Sequence, residues 1–138
     1  MDHATTTRTI YDQINSGDID GFGEHLADDV VEHEELPGLE PTKAGVLDFF
    51  RGLRAAFPDL HMEVQDLIAD DGKVVARVVV TGTQEGEFFG VPASGRHVEV
   101  DLIDIMRFDA SGHVCEHWGV TDTLSLMQQI GAVPTGPA

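Results

Sequence analysis

Positive charge is scarce in this sequence: eight lysines and arginines stand against 25 aspartates and glutamates in 138 residues, a formal net charge of −17. A surface of that sign repels phosphate backbones and anionic lipid, so neither nucleic acid nor a membrane is expected as a partner. Cysteine is scarcer still. Cys115 stands alone, which excludes an internal disulfide and a cysteine-based metal centre. No apolar run approaches the roughly 20 residues of a membrane helix. The N-terminus lacks the basic-then-apolar layout of a secretory leader. A cytoplasmic location is the expectation by default.

What is present is ordinary for a globular chain, 41% apolar and 24% charged. The length fits one domain over residues 1–138. The ends, 1–5 and 134–138, have little to bury and are expected to be loose.

Periodicity divides the chain into helices first and strands later. Thr6, Ile10 and Ile14 fall on one helical face. Ser16-Gly17-Asp18 stops that helix and caps a second, in which Ile19, Phe22 and Leu26 recur at helical spacing up to Ala27. Val30-Val31 reads as a short strand. Thr42 is a good N-cap for the longest helix, Lys43 to Phe57, whose Val46, Phe49, Phe50, Leu53 and Phe57 form a wide apolar stripe. Leu60, Met62, Val64 and Ile68 alternate with polar residues, as a strand requires. Asp70-Asp71-Gly72 is a hairpin turn signal. Val74 to Thr83 reads as a buried strand, residues 85–97 as a loop, His97 to Phe108 and Val114 to Thr121 as strands, and Thr123 to Ile130 as a closing helix. Helices followed by an antiparallel meander imply an α+β fold. Three helices on one face of a curved sheet leave a cone whose interior is the natural pocket.

Two acids stand out. Asp104 shares its strand parity with Val100, Leu102, Met106 and Phe108, an acid on an apolar face. Desolvation there raises a carboxyl toward neutrality and suits it to proton transfer; a hydrogen bond to a helix end or an arginine would account for it equally well. Asp122 follows Glu116, His117 and Trp118. Trp118 and Asp122 share one parity and His117 the other, so a pocket-lining Trp118 turns His117 away unless the strand bulges, for which Gly119 is the candidate position. Asp122 also fits an N-cap for the closing helix. His33, beside Glu34 and Glu35, can act as an oriented base or lie on the surface. The catalytic candidates are therefore Asp122, Asp104, His117 and His33; Trp118, Phe50, Phe88, Met106 and Tyr11 are the candidates for substrate binding.

No metal is expected. His113 and His117 are four apart on one strand, too far for one ion, and no helical pair of histidines occurs. The glycine-rich stretch 86–95 lacks the ending of a phosphate loop. There is no Gly-x-Ser-x-Gly elbow, and Cys115 has no nucleophile signature.

The stretches DDVVEHEELPG (28–38), LRAAFPDLHMEVQDLIADDGKVVARVVVTGT (53–83), GEFFGVPASGRHVEVDLIDIMRFDASGHVCEHWGVTD (86–122) and QQIG (128–131) together resemble the SnoaL-like polyketide cyclases and ester cyclases over nearly the whole chain. Gly-Val-Pro-Ala-Ser-Gly-Arg (90–96) and Glu-His-Trp (116–118) followed by Asp122 are the most specific pieces. The resemblance implies an NTF2-like cone, commonly a homodimer, with no metal or organic cofactor. It implies intramolecular aldol closure of a polyketide ester with an aspartate as general acid and base. His117 and Asp122 match the family's His-Trp…Asp segment, and His33 a histidine common after the first short strand; the key aspartate corresponds to Asp122 or to Asp104. Where many relatives carry a histidine after Gly-Thr, this chain has Gln84, which implies a changed substrate or lost activity.

Three functions compete. The first is a cofactor-free cyclase or related proton-transfer enzyme acting on a small apolar carbonyl compound. The second is a hydrolase like limonene-epoxide hydrolase, which needs an Asp-Arg-Asp set to which Arg77 and Asp104 could contribute. The third is a non-catalytic binder of a small molecule. Ile103 and Ile105 on the outer sheet face point to a homodimer.

Overall fold

The computed structural model describes residues 2–136. Its elements run α1 (His3–Ser16), α2 (Ile19–Glu24), β1 (Leu26–Glu32), α3 (Lys43–Ala56), β2 (His61–Asp70), β3 (Lys73–Thr83), β4 (His97–Phe108), β5 (Val114–Thr121) and α4 (Thr123–Gln129). The strands form one curved, unclosed sheet in the order β1-β5-β4-β3-β2, and the fold is α+β. Strands β2 to β5 make the expected antiparallel meander. β1 differs: it adds to the β5 edge in parallel.

Local chemistry explains the boundaries. Asp2 caps α1 through the Thr5 amide, so residues 3–5, expected to be loose, are helical. At the other end Gln128 reaches the Pro134 carbonyl, while the expectation of loose ends at Met1, Pro137 and Ala138 lies outside the described residues. Gly17, at φ +83, ends α1 in the left-handed conformation that suits glycine, and Asp18 caps α2 at once. α2 stops at Glu24, and Leu26 and Ala27, expected as its last turn, open β1 instead. Leu26 is apolar and buried in either assignment, so helical spacing could not separate the two. Thr42 accepts the Gly45 amide at 3.1 Å and starts α3. Asp71 and Gly72 both take positive φ, the backbone of a two-residue I′ hairpin between β2 and β3.

Two bulges reset parity in the antiparallel meander, and the parallel β1–β5 ladder shifts register between Leu26 and Val31. Gln65 is an extra residue between the Val64↔Val78 and Asp66↔Arg77 pairs. Leu67 therefore turns inward and Ile68, expected on the buried face, is 64% exposed. Cys115 is likewise extra between the Phe108↔Val114 and Arg107↔Glu116 pairs. Beyond it His117, Gly119 and Thr121 face the helices while Glu116, Trp118 and Val120 face out. The bulge sits four residues before Gly119, where it was expected.

α1 packs along β2, and Asn15 brackets that edge strand by giving to the Met62 carbonyl at 2.9 Å and taking the Met62 amide at 2.7 Å. Arg54 of α3 reaches the last carbonyls of α1, at Ile14 and Asn15. Ile10, Ile14, Val74, Val78 and Val114 are almost fully buried in the core, and Ile10, Ile14 and Val114 also border its cavity. Toward α3 and α4 the packing opens into that cavity.

Candidate active site

The cavity has a volume of about 130 Å³. That is close to the space that holds one benzene-sized ligand. Its walls are apolar. Phe50 meets Phe22 edge-on at 5.2 Å, Phe88 meets Phe57 at 5.4 Å and stacks on Phe89 at 4.0 Å. Phe50, Phe88, Met106 and Tyr11, all expected in the pocket, line it. Trp118 does not. The Cys115 bulge turns it to the outer face, where it stacks on His33 at 4.8 Å.

The ionisable groups gather at one end. Asp104 points in from β4 with 7% of its surface exposed. Its Oδ2 accepts the Tyr11 hydroxyl at 2.5 Å and its Oδ1 pairs with His117 Nε2 at 2.8 Å. The other ring nitrogen of His117, Nδ1, pairs with Glu32 Oε2 at 2.5 Å. A continuous chain thus runs Tyr11–Asp104–His117–Glu32. Glu34 stands beside it, its Oε2 accepting the Thr121 hydroxyl at 3.0 Å.

The electrostatics follow from this crowding. Burial opposes the charge on His117, yet the Asp104 and Glu32 carboxylates on either side outweigh it and push the imidazole up to about 10. Burial, then the Asp104 charge, holds Tyr11 well above its ordinary value, so it stays a neutral donor. Burial, then Asp104 again, raises the Glu34 carboxyl. A neutral-pH site of this kind has an imidazolium clamped between two carboxylates, with a third acid next to it.

Glu32 was not a candidate in the sequence, and Glu34 was noticed only as a neighbour of His33. The signal for both was parity. Val30 is buried, and Glu32 and Glu34 follow at two-residue steps, acids on an apolar register as Asp104 is. His33 falls between them and faces out, 2.8 Å from Glu116, which also binds Arg107. Asp122 is exposed and caps α4 through the Ser125 amide at 3.1 Å; it does not line the cavity. The structure therefore brings Asp104 and His117 together and leaves Asp122 and His33 outside.

Three further expectations can be placed. Glu32, Glu34 and His117 offer ligand atoms within 4.8 Å of one another, a set that could hold a divalent cation and that histidine spacing alone did not reveal. Both ring nitrogens of His117 already face carboxylates, so a cation would have to displace one of them. Arg77 lies on the outer face at 2.7 Å from Asp66, and among the described residues no arginine or lysine lines the cavity. Gln84 is fully buried. It braces the 84–96 loop through the Val91 carbonyl and the Ser94 amide and does not line the cavity.

The family model of the SnoaL-like polyketide cyclases matches residues 5–130. The chain belongs to this family. TsrD from Streptomyces laurentii is 30% identical, with 96% of this chain and 99% of that chain covered and a TM-score of 0.84. IdmH from Streptomyces antibioticus, provisionally assigned as a polyketide cyclase, is 31% identical over 95% of this chain and 99% of its own, with a TM-score of 0.81. AclR from Streptomyces galilaeus, provisionally assigned as a hydroxylase, is 30% identical over 98% and 88%, with a TM-score of 0.86. No curated protein matches the chain. A SnoaL-like cone is thus shown, and the differing assignments of its neighbours show why the reaction has to be argued from the site. No helix among the described residues is long and apolar enough to cross a membrane.

Proposed function

We propose that this SnoaL-like protein is a proton-transfer enzyme that closes a ring in a small apolar carbonyl compound, such as a polyketide ester, by intramolecular aldol addition. One observation carries the reading: of the three carboxyl groups that line the apolar cavity, Asp104 is held between two hydrogen-bond donors, Tyr11 and His117. A carboxylate so placed can take a proton from the carbon next to a carbonyl. Tyr11 and the His117 imidazolium hold it in one orientation, and Glu32 fixes the ring from behind. The aromatic walls keep water out and fold the substrate so that the new enolate meets its ketone, which is catalysis by positioning. No organic cofactor or metal is assigned a part.

Size sets a condition on the substrate. A 130 Å³ cavity holds about one ring. A larger polyketide requires Phe49, Phe50, Phe88 and Phe89, which meet one another at one wall, to rotate apart. The hydrolase alternative lacks support, because Arg77 faces away from the cavity. A non-catalytic binder would use the same walls without need of the acids.

A homodimer is part of the proposal. Ile103, Val120 and Leu124 are exposed at 48%, 75% and 61% on the outer face and would be covered by a second copy.

The test is incubation with aromatic carbonyl compounds that bear a linear β-keto ester side chain. Ring closure conserves mass and changes the absorption spectrum and retention time. Asp104-dependent appearance of a cyclic isomer supports the reading. Tight binding with no isomer, unaffected by Asp104→Asn, supports the binder.

A further inference from the structure

The polar end of the cavity holds more acid than its cation can balance. Asp104, Glu32 and Glu34 supply three carboxyl groups, and His117 supplies one imidazolium; Tyr11 stays neutral. No other titratable group lines the cavity among the described residues. If all three acids were ionised, two negative charges would stand uncompensated against apolar walls. Such charge is costly, and a proton is the cheapest counterion.

The hydrogen bonds decide which acid keeps the proton. Asp104 receives Tyr11 and His117, and Glu32 receives the other nitrogen of His117. Glu34 receives only a neutral hydroxyl, that of Thr121. It is the carboxyl least served by donors.

The backbone brings that carboxyl to the reacting groups. Gly119 faces inward between His117 and Thr121. A Cβ on it would collide with Glu34 Oε1 and lie 2.9 Å from His117 Cε1 and 3.0 Å from Asp104 Oδ1. The missing side chain is the notch in which the Glu34 and Asp104 oxygens approach each other.

We propose that Glu34 is the proton donor of this site, giving its carboxyl proton to the oxygen on which negative charge gathers while Asp104 acts as the base. The proposal rests on the proton-transfer reading above and assigns a second catalytic residue to it. In the ring closure, Asp104 takes the proton from the α-carbon and that C–H pair becomes the enolate. The enolate carbon bonds to the ketone carbon. The ketone π pair moves to its oxygen, which takes the proton of Glu34. The proton on Asp104 then returns to Glu34 through solvent, and the product is an isomer of the substrate carrying a new hydroxyl. The raised carboxyl of Glu34 agrees with this division of labour.

Two measurements test it on the intact protein. In the first, carbon-13 signals of labelled glutamate carboxyls are followed against pH, with Glu34 assigned from Glu34→Gln. The Glu34 signal should titrate above those of the exposed glutamates. A signal titrating with or below them overturns the proposal, as does stoichiometric divalent metal in the protein as purified, because a metal-bound Glu34 is ionised. The second uses benzisoxazoles, in which a base removes the ring C–H proton while the N–O bond breaks to leave a phenolate. The 5-nitro compound has a stabilised phenolate and needs no acid; the unsubstituted compound has a poorer leaving oxygen. Glu34→Gln should slow the unsubstituted compound at least about tenfold more than the nitro compound. Equal slowing of both overturns the assignment of Glu34 and leaves the base in place. A wild-type protein inert toward the nitro compound, or one indifferent to Asp104→Asn, overturns the underlying reading as well.

Discussion

Gly119 stands directly opposite Asp104 across the β4–β5 pair, and its bare backbone is where the side chains of Glu34, His117 and Asp104 converge. Gly119→Ala would force Glu34 or His117 aside. Turnover of a probe substrate should fall at least about tenfold, since misplacement of about 1 Å is enough for a large loss. Stability should fall by about 1–3 kcal/mol, the usual cost of overpacking. Denaturant unfolding and steady-state kinetics on the same preparation check both.

Tyr11→Phe removes the phenol and leaves Asp104 Oδ2 without its donor. Loss of one partner from a buried charged group costs about 1–3 kcal/mol. Chemical unfolding near neutral pH should show that loss. Tyr11→Phe should also lower kcat more than it changes KM, because the hydroxyl orients the base and the aromatic ring that lines the cavity remains.

Stability should fall as pH rises. His117 is held at about 10 against an ordinary 6.5. Its imidazolium therefore stabilises the fold fully below about 6.5, and that contribution disappears as pH climbs through about 10. Glu34 acts in the same sense, since a raised carboxyl binds its proton more tightly folded than unfolded, and its contribution is lost from the ordinary 4.5 upward. Unfolding free energies between pH 6 and 10 should decline for the wild type and decline less for His117→Gln. The difference between the two slopes separates His117 from the general repulsion of an acidic surface.

The outer sheet face gives a prediction of its own. Val120→Asp places a charge on this face beside the exposed Ile103 and Leu124. If a second copy covers this face, sedimentation should shift from dimer to monomer at micromolar concentration. Probe turnover should change less than about threefold, since Val120 points away from the cavity and surface changes cost little.

Much of this was legible in the sequence because alternation reports which way a strand residue points. Asp104 declared itself as an acid among Val100, Leu102, Met106 and Phe108, and all six inward residues of β4 are buried. The capping residues Asp18, Thr42 and Asp122 and the Asp71-Gly72 turn were equally plain, since each does its work through local backbone chemistry. What failed was anything beyond a bulge. One extra residue at Cys115 exchanges the two faces of β5, which put His117 in the cavity and Trp118 outside. One at Gln65 did the same to Ile68. A bulge leaves no fixed residue signature, so parity is reliable only within an unbroken ladder. Glu32 and Glu34 were missed for another reason. The sequence pattern starts the strand at Val30, whereas β1 starts at Leu26, pairs in parallel with β5 and shifts register before Val31, so that Glu32 meets His117; that pairing is a long-range fact.

The most direct test of the account is hydrogen exchange at carbon. α-Tetralone, a small aromatic ketone, loses its α-hydrogens slowly to deuterium oxide at neutral pH, and mass spectrometry counts the deuterium gained. The wild-type protein should accelerate that exchange, and Asp104→Asn should reduce the acceleration by about 10²–10⁴-fold while the protein stays folded. Exchange that is as fast with Asp104→Asn as with the wild type, or no faster with either than in buffer, would contradict the claim that Asp104 is a working base.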